Sequence, residues 1–227
     1  MAATSKTGIK ICGVTKPADI DALNTHAIDM VGFNFYKPSP RYLDPLLGPQ
    51  LAAKCRPEMN RVALLVDPSD DDIDAVLASV SPHFIQLHGQ ESPERVADIK
   101  YRSFASLIKA LPISDADDVA RAQDYADLVD MFLFDAKPPK DAPENTMPGG
   151  NGETFDWGAL SAYGLNQPYL LAGGLSCDNV ADALERTQAP MVDLSSGVES
   201  APGVKDEKLI AAFAAAVRAH DAGAQQT

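Results

Sequence analysis

The 227-residue sequence predicts an α/β fold, a (β/α)8 barrel in a single domain over residues 1–227. Three observations predict it. Eight short apolar runs alternate with segments that carry helix start signals. The length falls slightly below the ~250 residues usual for eight strand–helix units. No G-x-G-x-x-G follows the first run, where a doubly wound dinucleotide-binding sheet would want one; the turn reads "CGVTKP".

In chain order the strand candidates are "IKIC" (9–12), "DMVGFNFY" (29–36), "NRVALLV" (60–66) and "HFIQL" (83–87). "FASLIKAL" (104–111), "VDMFLFD" (129–135), "PYLLAGG" (168–174) and "MVDLSS" (191–196) complete the set. Short apolar runs bounded by turn residues are the signature of strands covered on both faces. Between them, Pro17 opens "PADIDALNTHA", Ser69 precedes "DDDIDAVLASV", Ser92-Pro93 opens "ERVADIK" and Ser114 precedes "DADDVARAQDY". A serine side chain accepts from the orphan N–H groups of a first turn, and proline loses nothing where the N–H is unpaired anyway. After the seventh run a helix start falls at Ser176 or Asp178. The last helix, "DEKLIAAFAAAVRAH", is alanine-rich and spaced for one apolar face. Residues 136–154, "AKPPKDAPENTMPGGNGET", follow neither period, and a connection this long is either functional or disordered. Residues 1–7 and 221–227 read as loose ends.

Composition narrows function. Hydrophobic residues at 45% and charged residues at 22% are those of a globular chain. The net charge of −13 repels phosphate backbones and anionic lipids, so neither nucleic acid nor a membrane is an expected partner. A small anionic substrate would need a locally positive pocket. Cys12, Cys55 and Cys177 are too few and too scattered for a disulfide framework or a zinc cluster. "MAATSKTG" has no apolar core, so a cytoplasmic location with reduced thiols is expected.

The polar residues inside the strands carry the chemistry. Side chains alternate between the faces of a strand, and the last inward position looks into the barrel mouth. Cys12 shares a face with Lys10, Asn34 with Gly32, and His88 with Gln86; Asp135 ends its run on the face of Leu133, and Asp193 and Ser195 oppose Leu194. Together they predict a polar cup at the C-terminal rim. "LAGGLSCDNV" and "VDLSSGVES" add Gly173, Gly174, Ser195, Ser196 and Gly197 after the last two strands. Small residues beside helix starts free backbone N–H groups for an anion, and the seventh and eighth loops of such barrels frequently hold a phosphate.

With these residues in view, the chain resembles the phosphoribosylanthranilate isomerase family of tryptophan biosynthesis. The matching stretches are "KICGVTK", "VGFNFYKPSPRYL", "IQLHG", "LFDAK", "GGNGETFDW", "LAGGLSCDNV" and "VDLSSGVESAPGVKD", in order over roughly residues 8–219. The resemblance implies a TIM barrel and an intramolecular oxidoreductase of the aldose–ketose isomerase kind. The reaction implied is the Amadori rearrangement of N-(5′-phosphoribosyl)anthranilate to 1-(2-carboxyphenylamino)-1-deoxyribulose 5-phosphate. It implies no cofactor and no metal. It implies Cys12 as general base, Asp135 as general acid and Arg41 as the ligand of the anthranilate carboxylate. Gly173, Gly174, Ser195, Ser196 and Gly197 match the phosphate loops, and His88 and Asp193 match polar positions near the substrate. A monomer or a homodimer is implied. The chain departs from the family in "YKPSPR", where lysine and proline are exchanged, and in Asn151, where threonine is common.

The chemistry suits these residue types. The acid protonates the ribose ring oxygen, opening the ring to a Schiff base; the base then takes the proton from C2′. Asp135 has to carry a proton, and Cys12 has to be reachable as a thiolate, for which Lys10 is the candidate cation. Asp193 has a second role open to it, as partner of an inner-barrel lysine such as Lys10 or Lys109. Gly13 reads as room for substrate beside the thiol. A metal-dependent sugar-phosphate epimerase is an alternative, but it would want several His and Asp ligands, and only His88 ends a strand. A non-catalytic phospholigand-binding barrel would need neither Cys12 nor Asp135. A flavin barrel would fit the phosphate loops and nothing else.

Overall fold

The computed structural model describes residues 6–138, 149, 152, 154–164 and 166–224. Eight parallel strands close into a barrel in sequence order. They are β1 (Gly8–Cys12), β2 (Met30–Asn34), β3 (Asn60–Leu65), β4 (Phe84–Leu87), β5 (Ser106–Ile113), β6 (Met131–Ala136), β7 (Tyr169–Leu171) and β8 (Met191–Leu194). The helices are α1 (Pro17–Thr25), α2 (Gly48–Lys54), α3 (Asp70–Val80), α4 (Pro93–Ser103), α5 (Ala116–Ala120), α6 (Val180–Thr187) and α7 (Glu207–Ala224). Most of the 136–154 connection lies outside the described residues, and a 3-10 segment, Trp157–Ala162, stands where a helix would follow β6.

The start signals act as expected at three helices. Ser69 accepts from Asp72 N while the Asp72 carboxylate accepts from Ser69 N, a reciprocal cap; Ser92 accepts from Arg95 N; Pro17 opens α1. Two starts shift. Asp115, not Ser114, caps α5, accepting from the N–H groups of Asp117 and Asp118. The helix stops after five residues and continues as a 3-10 segment, Arg121–Tyr125, while Ser114 and Lys137 hold the Asp118 carboxylate at its first turn. α6 begins at Val180 rather than at Ser176 or Asp178. Asn179 accepts from Ser176 N and donates to Gly174 O, which keeps those residues in a turn. The chain ends are tied closer in than expected. Thr7 bonds Asp221, Arg218 donates to Thr7 O, and α7 continues to Ala224.

The strands separate two apolar layers. Met30, Val62, Ile108, Ala110, Met131, Leu133, Leu170 and Ala172 fill the barrel interior. The alternate residues, Ile9, Ile11, Val31, Phe33, Leu107, Phe132 and Phe134 among them, pack under the helices in the larger layer. One charged pair interrupts the interior. Lys10 and Asp193 are register partners across β1 and β8, where the barrel closes, and Lys10 Nζ lies 2.7 Å from Asp193 Oδ1. Lys10 is fully buried. Burial alone would lower its pKa, but Asp193 and Cys12 outweigh that and raise it, so the lysine is charged. Lys109, expected on the same inner face, lies in the outer layer instead. It donates to Glu91 Oε2 at 2.7 Å and to the Gly89 carbonyl at 2.8 Å. Its neighbours Ile108 and Ala110 take the inward positions.

A buried ion pair loses more when one partner is removed than when both are replaced by apolar groups. Lys10→Met should therefore cost about 3–5 kcal/mol of stability, whereas Lys10→Met combined with Asp193→Leu should recover most of it. Urea unfolding midpoints of the two variants against wild type measure this.

Candidate active site

Cys12, Arg41, His88, Asp135, Gly173, Gly174, Asp193, Ser195, Ser196 and Gly197 all line one cleft at the C-terminal rim. The cleft encloses about 670 Å³, counting open solvent at its mouth, which suits a small-molecule ligand.

Cys12 ends β1 and is buried, with Gly32 as its register partner on β2. A Cβ on Gly32 would come within 2.7 Å of the thiol sulfur, so glycine leaves room for it. Burial pushes the Cys12 pKa up. Lys10 pulls it down by charge and hydrogen bond and Lys205 does so by charge, while Asp193 adds to the rise. The expected help from Lys10 is thus present, but burial outweighs it. Gly13 serves a different purpose from the one expected. At φ +78° it carries no side chain because a Cβ would lie 2.6 Å from Arg41 Cδ. The space is taken by the arginine stem.

Asp135 lies near the end of β6, across the cleft from β1 in the strand order. Its Oδ1 accepts from Ala136 N at 2.9 Å, and His88 Nε2 stands 3.4 Å from Oδ2. The other ring nitrogen of His88 is 2.8 Å from Gln86 Nε2. With the amide in that orientation, Gln86 donates to Nδ1 and leaves the imidazole proton on Nε2, facing Asp135. Gly149 closes this corner. A Cβ there would lie 2.4 Å from Asp135 Oδ2 and 2.7 Å from His88 Nε2, so only glycine lets the chain pass.

The turns after β7 and β8 form the opposite wall. Gly173 and Gly174 have φ of +86° and +59°, a backbone that L side chains rarely adopt. Gly197 is pressed against Leu175 O, where a Cβ would lie 2.1 Å away. Among the described residues, the N–H groups of Gly173, Gly174, Ser196 and Gly197 have no protein acceptor. Such a cluster of free N–H groups favours an anion. Ser195 turns its hydroxyl to Cys12 O, 2.9 Å, and Lys205 Nζ binds the Ser195 carbonyl and hydroxyl at 3.0 and 3.1 Å. Arg41 is buried at the rim, held by Glu199. Asp193 is committed to Lys10, the second of the roles open to it.

Gly149, Glu199 and Lys205 escaped the sequence reading, and Gln86 was placed on the inward face without a role. The alternation that singled out His88 also points to Gln86. Glu199 and Lys205 lie in "VESAPGVKD", which carries no strand or helix period, and no local signal marks them as partners of Arg41 and Ser195.

A closed parallel barrel that gathers Cys12, His88, Asp135 and a cluster of free backbone N–H groups in one cleft at its C-terminal rim has the layout of a (β/α)8-barrel enzyme. The family model described as N-(5'phosphoribosyl)anthranilate (PRA) isomerase matches residues 9–216. An N-(5'-phosphoribosyl)anthranilate isomerase of Rhodopseudomonas palustris (strain BisA53) is 49% identical, over 93% of this chain and 95% of its own. The crystal structure of the phosphoribosyl anthranilate isomerase from Thermotoga maritima superposes with a TM-score of 0.82 at 32% identity, covering 94% of this chain and 99% of that one. A phosphoribosyl anthranilate isomerase solved with reduced 1-(o-carboxyphenylamino)-1-deoxyribulose 5-phosphate gives 0.78 at 29%, covering 94% and 99%. The chain belongs to the N-(5'-phosphoribosyl)anthranilate isomerase family. It is therefore an isomerase of the aldose–ketose type in tryptophan biosynthesis. Among the described residues no helix is long and apolar enough to cross a membrane.

Because burial raises the Cys12 pKa, iodoacetamide should alkylate it more slowly at pH 8 than a free thiol of pKa about 8.5, with a rate that climbs as pH rises further. Lys10→Met removes a group that lowers that pKa, so its rate profile should move to still higher pH. Mass spectrometry of the Cys12 peptide, with Cys55 and Cys177 replaced by serine, measures both.

Proposed function

We propose that this chain rearranges N-(5′-phosphoribosyl)anthranilate with Cys12 as general base and Asp135 as general acid. The observation that carries the assignment is their placement at the ends of β1 and β6, where both line one cleft together with the turns after β7 and β8. A phosphate on the N–H groups of Gly173, Gly174, Ser196 and Gly197, with Ser195 shaping the turn, would anchor one end of the substrate. Arg41 would hold the anthranilate carboxylate at the other. The ribose then spans the line from thiol to carboxyl.

Asp135 enters protonated and donates to the ring oxygen as the C1′–O bond breaks. The Schiff base that results makes the C2′ hydrogen acidic. Cys12, as thiolate, removes it, and the enolamine tautomerises to the ketone. Burial, which disfavours the thiolate, also makes it a stronger base once formed. His88 places a ring nitrogen beside the Asp135 oxygen that loses its proton, and Asp193 holds Lys10 under Cys12. The two proton transfers call for no cofactor or metal. The product analogue bound to a relative 29% identical supports the same ligand here. We place the enzyme in the cytoplasm, as a single-domain monomer or homodimer.

Substrate generated in situ should lose its anthranilate-type fluorescence on addition of the protein. Cys12→Ser and Asp135→Asn should each lower kcat by about 10²–10⁴-fold without changing the far-UV circular dichroism. Near-wild-type rates in both variants would overturn the acid–base assignment.

A further inference from the structure

The segment after β8 does more than lead into α7. β9 (Glu199–Ala201) and β10 (Val204–Lys205) form an antiparallel hairpin that pairs only with itself, outside the barrel sheet. Three of its residues reach back to the site. Glu199 accepts from Arg41 Nε through Oε1 and from Nη2 through Oε2, both at 2.8 Å. Lys205 donates to the same Glu199 Oε1 at 2.7 Å and to Ser195. Gly203, at the hairpin turn with φ +77°, lies so close to the Arg41 loop that a Cβ would stand 2.6 Å from Pro40 O.

The geometry of this grip decides what Arg41 can offer. A guanidinium presents planar edges, each able to bind a carboxylate through two N–H groups. Glu199 fills the Nε/Nη2 edge. The Nη1/Nη2 edge is left, and among the described residues Nη1 has no acceptor. Arg41 and Lys205 both pair with the one Glu199 carboxylate. Burial would raise the Glu199 pKa, but the hydrogen bonds from Arg41 and Lys205 and their charges lower it, so it stays anionic at neutral pH. The Nη1/Nη2 edge of Arg41 is therefore the side left to meet an incoming anion.

We propose that the 199–205 hairpin is the specificity clamp of the enzyme, in which Glu199 and Gly203 fix Arg41 with its far edge turned to a substrate carboxylate and Lys205 locks that arrangement to the Ser195 turn. The proposal rests on the reading of Arg41 as the carboxylate ligand. Glu199 and Gly203 are positioning residues, since they act through Arg41.

The test compares kcat/KM for N-(5′-phosphoribosyl)anthranilate with kcat/KM for the analogue made from aniline, which lacks the ring carboxylate. The wild type should prefer the carboxylated substrate by about 10²-fold or more, because the fixed fork is left unpaired by the analogue. Glu199→Gln, close in shape but uncharged, should cut that preference about 10-fold, through KM rather than kcat, with the inhibition constant of inorganic phosphate unchanged within about 3-fold. Gly203→Ala should act in the same direction without touching any charge, and it decides the matter if Glu199→Gln does not fold. Arg41→Ala is the reference. If it keeps the wild-type preference, the carboxylate role of Arg41 is wrong. If it loses the preference while Glu199→Gln and Gly203→Ala keep it, the clamp is wrong and Arg41 stands. Equal losses on both substrates and on phosphate inhibition would also overturn the clamp, leaving the hairpin a general structural role.

Discussion

Lys10 and Asp193 meet where the first strand pairs with the last, and much of the site depends on that contact. Two charges inside a barrel of apolar side chains are tolerable only if they face each other, and they do so in one register of β1 on β8. A slip of one residue would turn Lys10 into the layer beneath the helices and leave Asp193 alone. The pair therefore fixes the seam, and the seam fixes the rim. Cys12 sits two residues beyond Lys10 on the same inward face, and Ser195 two residues beyond Asp193. The hydrogen bond from Ser195 Oγ to Cys12 O crosses the same seam one layer higher.

Above that layer the interior changes character. Below the rim, methionine, leucine and alanine fill the barrel; at the rim, cysteine, asparagine, glutamine, histidine and aspartate do. In a closed parallel barrel every strand ends on the same side, so its last inward residues converge without long loops. Charge is sorted by the same geometry. A chain with a net −13 buries Lys10, Arg41 and Lys205 at this one end, each against a carboxylate. The surface is acidic and the rim supplies the cations that an anionic substrate requires.

The parts legible in the sequence were those with a local signature. Caps at Ser69 and Ser92 follow from the hydrogen-bonding reach of a serine hydroxyl. The polar ends of β1, β4, β6 and β8 stand out because a buried strand is otherwise apolar. Lys109 shows the limit of that reasoning. In "LIKAL" both faces are apolar, as they must be in a strand buried on both sides, so alternation does not tell inside from outside. Lys10 was readable only because Cys12 shared its face. The hairpin was less legible still. Its strands are three and two residues long, and its significance lies in contacts to Arg41 that span 158 residues of sequence. Gly149 was hidden for a related reason. In "MPGG" it looks like any turn glycine, and only the folded chain brings Asp135 and His88 against it.

Cys12 and Asp135 are asymmetric in a way that the barrel accommodates. In the proposed reaction Asp135 gives up a proton and Cys12 takes one, so those two transfers would pass one unit of negative charge from the β1 side of the cleft to the β6 side. Each end has a group suited to it. Lys10 stands where the charge departs, opposing the burial that would protonate the thiol too early. On the β6 side, His88 Nε2 lies 3.4 Å from Asp135 Oδ2. Gln86 holds the far ring nitrogen at 2.8 Å and so fixes the orientation of the imidazole. Burial disfavours the thiolate while Lys10 and Lys205 favour it, so the thiol sits between opposing influences that the strand register of β1 and the 199–205 hairpin both set.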